Sequence, residues 1–274
     1  MSNKILVLGG TGKTGRRIVQ RLTNLKLPHR IGSRNADPAF DWDNPATWEG
    51  ALNGISKVYI SFQPDIALPH AQQAISNFVE IARKSNVRKL VLLSGRGEPE
   101  AEARENIVIH SGIEWAILRC SWFMQNFSEN FLLGSILENK VILPFIRVKE
   151  PFIDADDIAE VAVQVLIDKI PSNKLYELTG PELISFENAV TKIAAVTKRN
   201  ITYKELPVDD YVDILRSSLI PEEFIAMIKY LLTETLDGRN EYTTQDIGSL
   251  LGRKAGDFDN YVAKTYETGI WNNV

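Results

Sequence analysis

Lys4-Ile5-Leu6-Val7-Leu8-Gly9-Gly10-Thr11-Gly12-Lys13-Thr14-Gly15 decides the fold of this chain. Its first five residues, four of them apolar, read as a strand buried on both faces. Three glycines spaced G-x-x-G-x-x-G then turn the chain into a helix beginning near Lys13, with Ile18, Val19, Leu22 and Leu25 at helical spacing. A strand, a glycine turn and a helix in that order make a phosphate-binding turn. Gly9 takes the turn geometry, Gly12 lets backbone N–H groups approach a pyrophosphate, and Gly15 lets the helix pack closely. The positive end of the helix macrodipole faces the phosphates, and Thr11, Lys13 and Thr14 complete the nucleotide-contacting set.

The next strand, within Pro28-His29-Arg30-Ile31-Gly32-Ser33-Arg34, ends where a dinucleotide fold reads the adenosine ribose. An NAD-preferring site places Asp or Glu there; Ser33 and Arg34 favour NADP(H) instead. Lys13 agrees, because a cation in the first turn of a helix opposes the macrodipole unless a phosphate is near. Residues 39–43 read as a short third strand and its exit, where Trp42 or Asp43 flanks the adenine or Trp42 packs in the core. Lys57 to Ser61 give a fourth strand with Val58, Tyr59 and Ile60 at its centre, and the loop at its carboxyl end, Phe62-Gln63-Pro64, is expected to border the nicotinamide half of the cofactor, with Ser61, Phe62 and Gln63 among the cofactor contacts. Lys89 to Leu93 form a fifth strand ending in Ser94-Gly95, and Trp115 to Leu118 a sixth. Strands alternating with helices in this way give an α/β protein of the Rossmann type, a doubly wound parallel sheet.

The whole chain narrows the function classes. With 274 residues, 44% hydrophobic content and a net charge of −4, it forms one large domain or two closely joined lobes. The acidic balance and the lack of a Lys/Arg cluster argue against nucleic acid as partner. No apolar run approaches the roughly 20 residues of a membrane span, and the N-terminal run is too short for a signal peptide. A cytoplasmic protein, monomer or homodimer, is expected. The one cysteine, Cys120, fits a reducing compartment, and His29, His70 and His110 are too scattered for a zinc site, so no metal is expected.

After the sixth strand, Trp122, Phe123, Met124 and Phe127 put large apolar groups at its carboxyl end. They read as a substrate wall or as packing between two lobes. Residues 1–125 are expected to form the NADP-binding core and 126–274 mainly a smaller, mostly helical substrate lobe, with 151–170 returning to the core. The lobe pattern starts at Leu175, with strands at 175–178 and 201–205 among helices.

Several stretches occur together in one order: Gly9 to Gly15 as G-G-T-G-K-T-G, Ile113 to Arg119, Trp122-Phe123-Met124-Gln125-Asn126, Phe152 to Ala159, and Leu178-Thr179-Gly180-Pro181-Glu182. The chain thereby resembles NmrA-like atypical short-chain dehydrogenases/reductases, and within them the NADP-dependent iminium reductases of ergot alkaloid biosynthesis and the bacterial NAD(P)H:quinone reductases. The resemblance implies a Rossmann core, NADP(H) and hydride transfer. Two departures bear on mechanism. Ordinary short-chain dehydrogenases use Tyr-x-x-x-Lys, yet none of the eight tyrosines has Lys four residues later. Isoflavone-reductase-like relatives carry a lysine in the helix after the fifth strand, where this chain has Ala101-Glu102-Ala103-Arg104-Glu105. Two readings remain: a reductase of a small apolar electrophile such as a quinone or iminium, which needs hydride more than a protein acid, or a non-catalytic NADP(H)-sensing regulator. For the reductase, Ser94 is the hydroxyl nominated at the reacting edge.

Overall fold

In the computed structural model, which describes residues 3–129 and 131–272, eight strands are formed: β1 (Lys4–Leu8), β2 (His29–Gly32), β3 (Ile55–Ile60), β4 (Lys89–Gly95), β5 (Glu114–Cys120), β6 (Lys140–Pro144), β7 (Lys174–Leu178) and β8 (Thr202–Leu206). Six of them make one parallel sheet in the order β2-β1-β3-β4-β5-β7. The chain divides into two compact units. The first comprises Met1–Cys120, Ala155–Leu178 and Gln245–Arg253, and the second comprises Ser121–Asp154, Thr179–Thr244 and Lys254–Val274.

In the first unit the central strands are unbroken apolar runs because helices cover both faces of the sheet. Leu6, Leu8, Val58, Ile60, Leu90, Leu92 and Ile117 pack with Phe40, Trp48, Ile75 and Phe78 in one core. The helix Ala155–Leu166 lies against β3, β4, β5 and the helix Lys13–Asn24. Arg17 donates to Asp156 at 3.1 Å, and Arg21 pairs with Glu160 at 3.4 Å. The C-terminal end of helix Ala155–Leu166 is held by two buried lysines: Lys57 Nζ donates to the Leu166 carbonyl at 2.6 Å and Lys89 Nζ to that of Val165 at 3.1 Å. Both also pair with Asp168. Cations at the negative end of a helix complement its macrodipole.

Two strand assignments change. Residues 39–43 are not a strand; Phe40 and Trp42 turn into an aromatic cluster with Trp48, Phe62 and Phe78, and Asp41 Oδ1 accepts from the Asp43 N–H at 3.1 Å. The local Asx turn competes with a strand ladder and prevails. The sixth strand of the sheet is instead β7, expected in the smaller lobe, which runs parallel to β5 with Ala116 opposite Lys174 and Cys120 opposite Leu178. As an edge strand it buries only Tyr176 and Leu178, so its short pattern carried no sign of which sheet it would join. The returning segment accordingly runs 155–178, and 245–253 joins the same unit.

The second unit is mostly helical around a two-stranded parallel ladder of β6 and β8. Its core is aromatic: Phe127, Phe152, Phe186, Phe258, Tyr261 and Trp271 pack largely edge to face. Arg199 ties the unit together by donating to the carbonyls of Ile136, Leu137 and Trp271 and to Asn139 Oδ1.

Candidate functional site

The glycine turn is built by backbone approach. Gly9 has φ +63°, in the left-handed region that glycine alone enters freely. A Cβ on Gly15 would stand 2.1 Å from the Gly9 carbonyl oxygen and 2.8 Å from Gly10 Cα, so the first turn of helix Lys13–Asn24 lies directly on the glycine loop. Gly12 caps this helix with φ −81° and no side chain. Its own N–H donates to Gly9 O at 2.8 Å, closing the turn. The N–H groups of the first helical turn lie ahead of the first rung, from Arg16 N–H to Gly12 O at 3.0 Å, and so have no partner within the helix.

The strand order gathers the other expected residues along the same carboxyl edge. At the end of β2, Ser33 comes directly after Gly32, whose carbonyl accepts from the Gly10 N–H at 3.4 Å. The Ser33 carbonyl accepts from the N–H groups of Ala36 and Phe40, fixing the loop from which Arg34 extends into solvent, with no hydrogen-bond or ion-pair partner among the described residues. On the other side of β1, Ser61 and Gln63 lie over the turn; a Cβ on Gly9 would touch Ser61 Cβ and Gln63 Nε2 at 3.4 Å, and one on Gly12 would meet the same Nε2 at 3.2 Å. Thr11 is exposed at the tip of the turn.

Other expected contacts point elsewhere. Thr14 is buried and its hydroxyl accepts from Tyr59 at 2.9 Å, so it faces the core. Phe62 packs against Trp42 at 4.9 Å between ring centroids. Trp42 itself donates from Nε1 to the Ser61 carbonyl at 3.1 Å, taking the core alternative, and Asp43 is exposed. Met124 and Phe127, 1% and 0% exposed, belong to the core of the second unit. Trp122 and Phe123 keep surface there, Trp122 packing edge-on against Phe186 at 5.5 Å.

At the end of β4 the structure holds a network that the sequence did not reveal. Ser94 donates to Glu105 Oε1 at 2.6 Å, and Arg119 on β5 donates to both oxygens of that carboxylate, from Nε at 3.0 Å. Beside it, Glu98 Oε1 occupies the space a Cβ on Gly95 would take, 2.0 Å from that position, and Glu98 Oε2 is buried without a hydrogen-bond partner. Burial, then the charges of Asp65, Glu100 and Glu105, push the Glu98 carboxyl up to about 8. Burial also raises Asp65. The signal available in sequence was the dense charge of residues 98–105, which reads as a solvated helix face until Arg104 and Glu105 prove buried. Tyr59 and Cys120 offer no alternative acid: both are buried, and burial raises both above their ordinary range. Among the described residues no group of three or more His, Cys, Asp and Glu side chains is arranged to hold a metal ion.

A glycine cradle closed to side chains, helical N–H groups at its mouth and a polar edge running from β2 to β4 fit a dinucleotide. Residues 9–169 match the family described as NAD(P)H-binding. The chain is 30% identical to festuclavine synthase II of Penicillium roqueforti (strain FM164), an alignment covering 97% of this chain and 99% of that protein. Two solved structures share its fold. An NADPH-dependent quinone oxidoreductase from Escherichia coli, complexed with NADPH, superposes with a TM-score of 0.80 at 18% identity, covering 96% of this chain and 99% of its own. The triphenylmethane reductase of Citrobacter sp., complexed with NADP(H), gives 0.77 at 17% identity over 95% and 99%. As its resemblance to NmrA-like atypical short-chain dehydrogenases/reductases led us to expect, the chain belongs to the NAD(P)H-binding family.

Proposed function

We propose that the protein is an NADPH-dependent reductase that delivers hydride to a small apolar electrophile of the quinone or iminium kind. The observation that carries the reading is the close approach of Gly15 to the Gly9 carbonyl, which holds the start of the helix directly against the glycine turn. The first-turn N–H groups, with Thr11 and Lys13, would hold the pyrophosphate; Ser33 and Arg34 would receive the ribose phosphate that distinguishes NADP from NAD. Ser61 and Gln63 lead from the turn toward Ser94 and Gly95, which would border the nicotinamide. When bound, the reduced nicotinamide supplies the hydride. The chain contributes position and orientation, and no Tyr/Lys pair is needed where the acceptor takes hydride without a protein proton.

The names of the relatives support the reading. Besides the festuclavine synthase, they include an agroclavine dehydrogenase of Claviceps fusiformis, 30% identical over 94% of this chain. We place the protein in the cytoplasm, as monomer or homodimer with a small molecule as its partner; Cys120 is buried, and no helix among the described residues is long and apolar enough to cross a membrane. The test is NADPH oxidation with a panel of quinones and iminium salts. Turnover with one class is expected, and tight NADPH binding without turnover of any acceptor would refute the reading.

A further inference from the structure

A hydride acceptor whose reduced form carries a new O–H takes up one proton with each hydride, and the hydroxyl at the end of β4 is committed elsewhere. Ser94 donates its only proton to Glu105 Oε1, and Arg119 holds that carboxylate by both oxygens. Glu98 is placed differently. Side chains alternate along a strand, so the free face of Gly95 is opposite that of Ser94. The Glu98 carboxyl lies on this face: Oε1, the carboxyl carbon and Oε2 stand 2.0, 2.8 and 3.6 Å from the position of a Cβ on Gly95. The last residue of β4 has no side chain of its own, and an acid sits where one would begin. Glu98 is 8% exposed, and its Oε2 has no hydrogen-bond partner, which leaves a negative charge there without a donor. The acids facing it are Asp65 from the loop after β3 and Glu100 and Glu105 from helix Pro99–Ile109. The cations of these elements are engaged elsewhere: Arg119 with Glu105, Arg104 with the carbonyls of Glu100 and Leu68, and Arg96 with Glu177. Burial and the facing acids together lift the Glu98 carboxyl to about 8, so it carries its proton at neutral pH. Asp65, the other raised acid here, accepts the Ala67 N–H at 2.8 Å, which favours its charged form.

Resting on the reductase reading, we propose that Glu98 is the proton donor of the reaction, in place of the Tyr/Lys pair that the chain lacks, and that the bare face of Gly95 seats its carboxyl beside the nicotinamide. As hydride adds to the acceptor, π electrons of the acceptor move onto its carbonyl oxygen. That oxygen takes the Glu98 proton, so an O–H bond forms on the product as the carboxyl O–H breaks. Positive charge left beside Glu98 by the departing hydride favours the ionised carboxylate, and the proton is released in the step that needs it. Glu98 recovers a proton from solvent as NADP+ leaves. One NADPH and one proton are consumed for each acceptor reduced by two electrons. An acid that titrates near the working pH holds its proton beforehand and still yields it, which is the condition for efficient general acid catalysis.

The experiment uses the full-length protein and begins without turnover. Calorimetry in buffers of different ionisation enthalpy counts the protons released at pH 7 when NADP+ or NADPH binds. Both nucleotides carry the same phosphates, and only NADP+ brings a positive ring to Glu98. The wild type should release at least about half a proton more with NADP+ than with NADPH, out of the roughly 0.9 that a group near 8 still holds. Glu98→Gln should show no such excess. With a naphthoquinone as acceptor, Glu98→Gln should lower kcat about 100-fold while the Kd for NADPH stays within about twofold. Wild-type kcat should fall as pH rises past about 8, where Glu98 loses its proton, and kcat of the variant should not. Proton release and the pH profile are read on the wild type itself, so the inference is tested even if the variant does not fold. Equal release with the two nucleotides, an excess that persists in Glu98→Gln, a wild-type kcat that holds level past about 8, or unimpaired quinone turnover by the variant overturns the inference and leaves the reductase reading standing. Failure of the wild type to oxidise NADPH with any acceptor defeats the reductase reading and the inference together.

Discussion

Gly15→Ala and Gly12→Val should separate the two functions of the glycine turn. At Gly15 the added Cβ falls 2.1 Å from the Gly9 oxygen and 2.7 Å from its carbonyl carbon. Both are backbone atoms and cannot rotate away, so the helix must move off the turn by about 1 Å, and overpacking of this kind costs about 3 kcal/mol. Alanine's better helix propensity returns up to about 1 kcal/mol. A net loss of about 2 kcal/mol lowers Tm by about 4–8 °C for a chain of this size. At Gly12 the situation differs, because φ −81° suits any residue and the nearest atoms to a Cβ, Gly9 O and Gln63 Nε2, are both 3.2 Å away, the second on a flexible side chain. Valine there should leave Tm within about 2 °C of wild type, a cost of under about 1 kcal/mol. Its methyl groups would stand before the N–H groups meant for the pyrophosphate. Losing two charge-assisted hydrogen bonds at about 1.5 kcal/mol each weakens NADPH binding more than 100-fold. Calorimetric melting and titration of NADPH fluorescence measure the two effects. Normal melting of Gly15→Ala, or normal NADPH affinity of Gly12→Val, would refute the assignment of packing to one glycine and ligand access to the other.

Arg34→Ala should weaken NADPH by about 30-fold, one charge-assisted phosphate contact of about 2 kcal/mol, and leave NADH nearly untouched; equal losses would show that Arg34 does not read the extra phosphate. Glu98→Gln should melt higher than wild type at neutral pH and equally near pH 4.5. The raised Glu98 carboxyl means that the unfolded chain gives up its proton first as pH rises from the ordinary range toward about 8, so native stability falls across that window, by on the order of 3 kcal/mol at pH 7. Identical melting curves at both pH values would show that Glu98 is not buried as a neutral acid. Lys89→Met keeps the aliphatic stem but removes a charge that pairs with Asp168 and Glu114 and caps Val165. Because both acids are substantially solvated, the cost is about 1–2 kcal/mol, read by urea denaturation at pH 7. Burial alone would raise Asp168, but hydrogen bonds from Lys57 and Lys89 hold it below its usual range. Its stabilisation is therefore present above the ordinary carboxylate range and fades as pH falls through its lowered value, so the gap between wild type and Lys89→Met should narrow below about pH 4. A gap that widens in acid would contradict this.

The sequence by itself determined the Rossmann-type class and the place of the glycine turn, because both rest on local relations. Five residues of buried strand, glycines three apart and an amphipathic helix leave little freedom, and Gly9, Gly12 and Gly15 each occupy the turn or its cap in the structure. Ser33 and Arg34 were legible for the same reason, since they are the first residues beyond the end of β2, and the pairing of β2 with β1 sets where that end lies. Tertiary structure alone decided that residues 39–43 serve an aromatic cluster and that β7 completes the large sheet, since an edge strand of five residues carries its partner's identity in hydrogen bonds between backbones, which no side-chain pattern records. It alone also decided the character of the carboxyl end of β4. Glu98, Glu105 and Arg119 are ordinary charged residues in the sequence; burial strips water from them, Arg119 and Ser94 then fix Glu105, and Glu98 is left holding a proton it would otherwise lose.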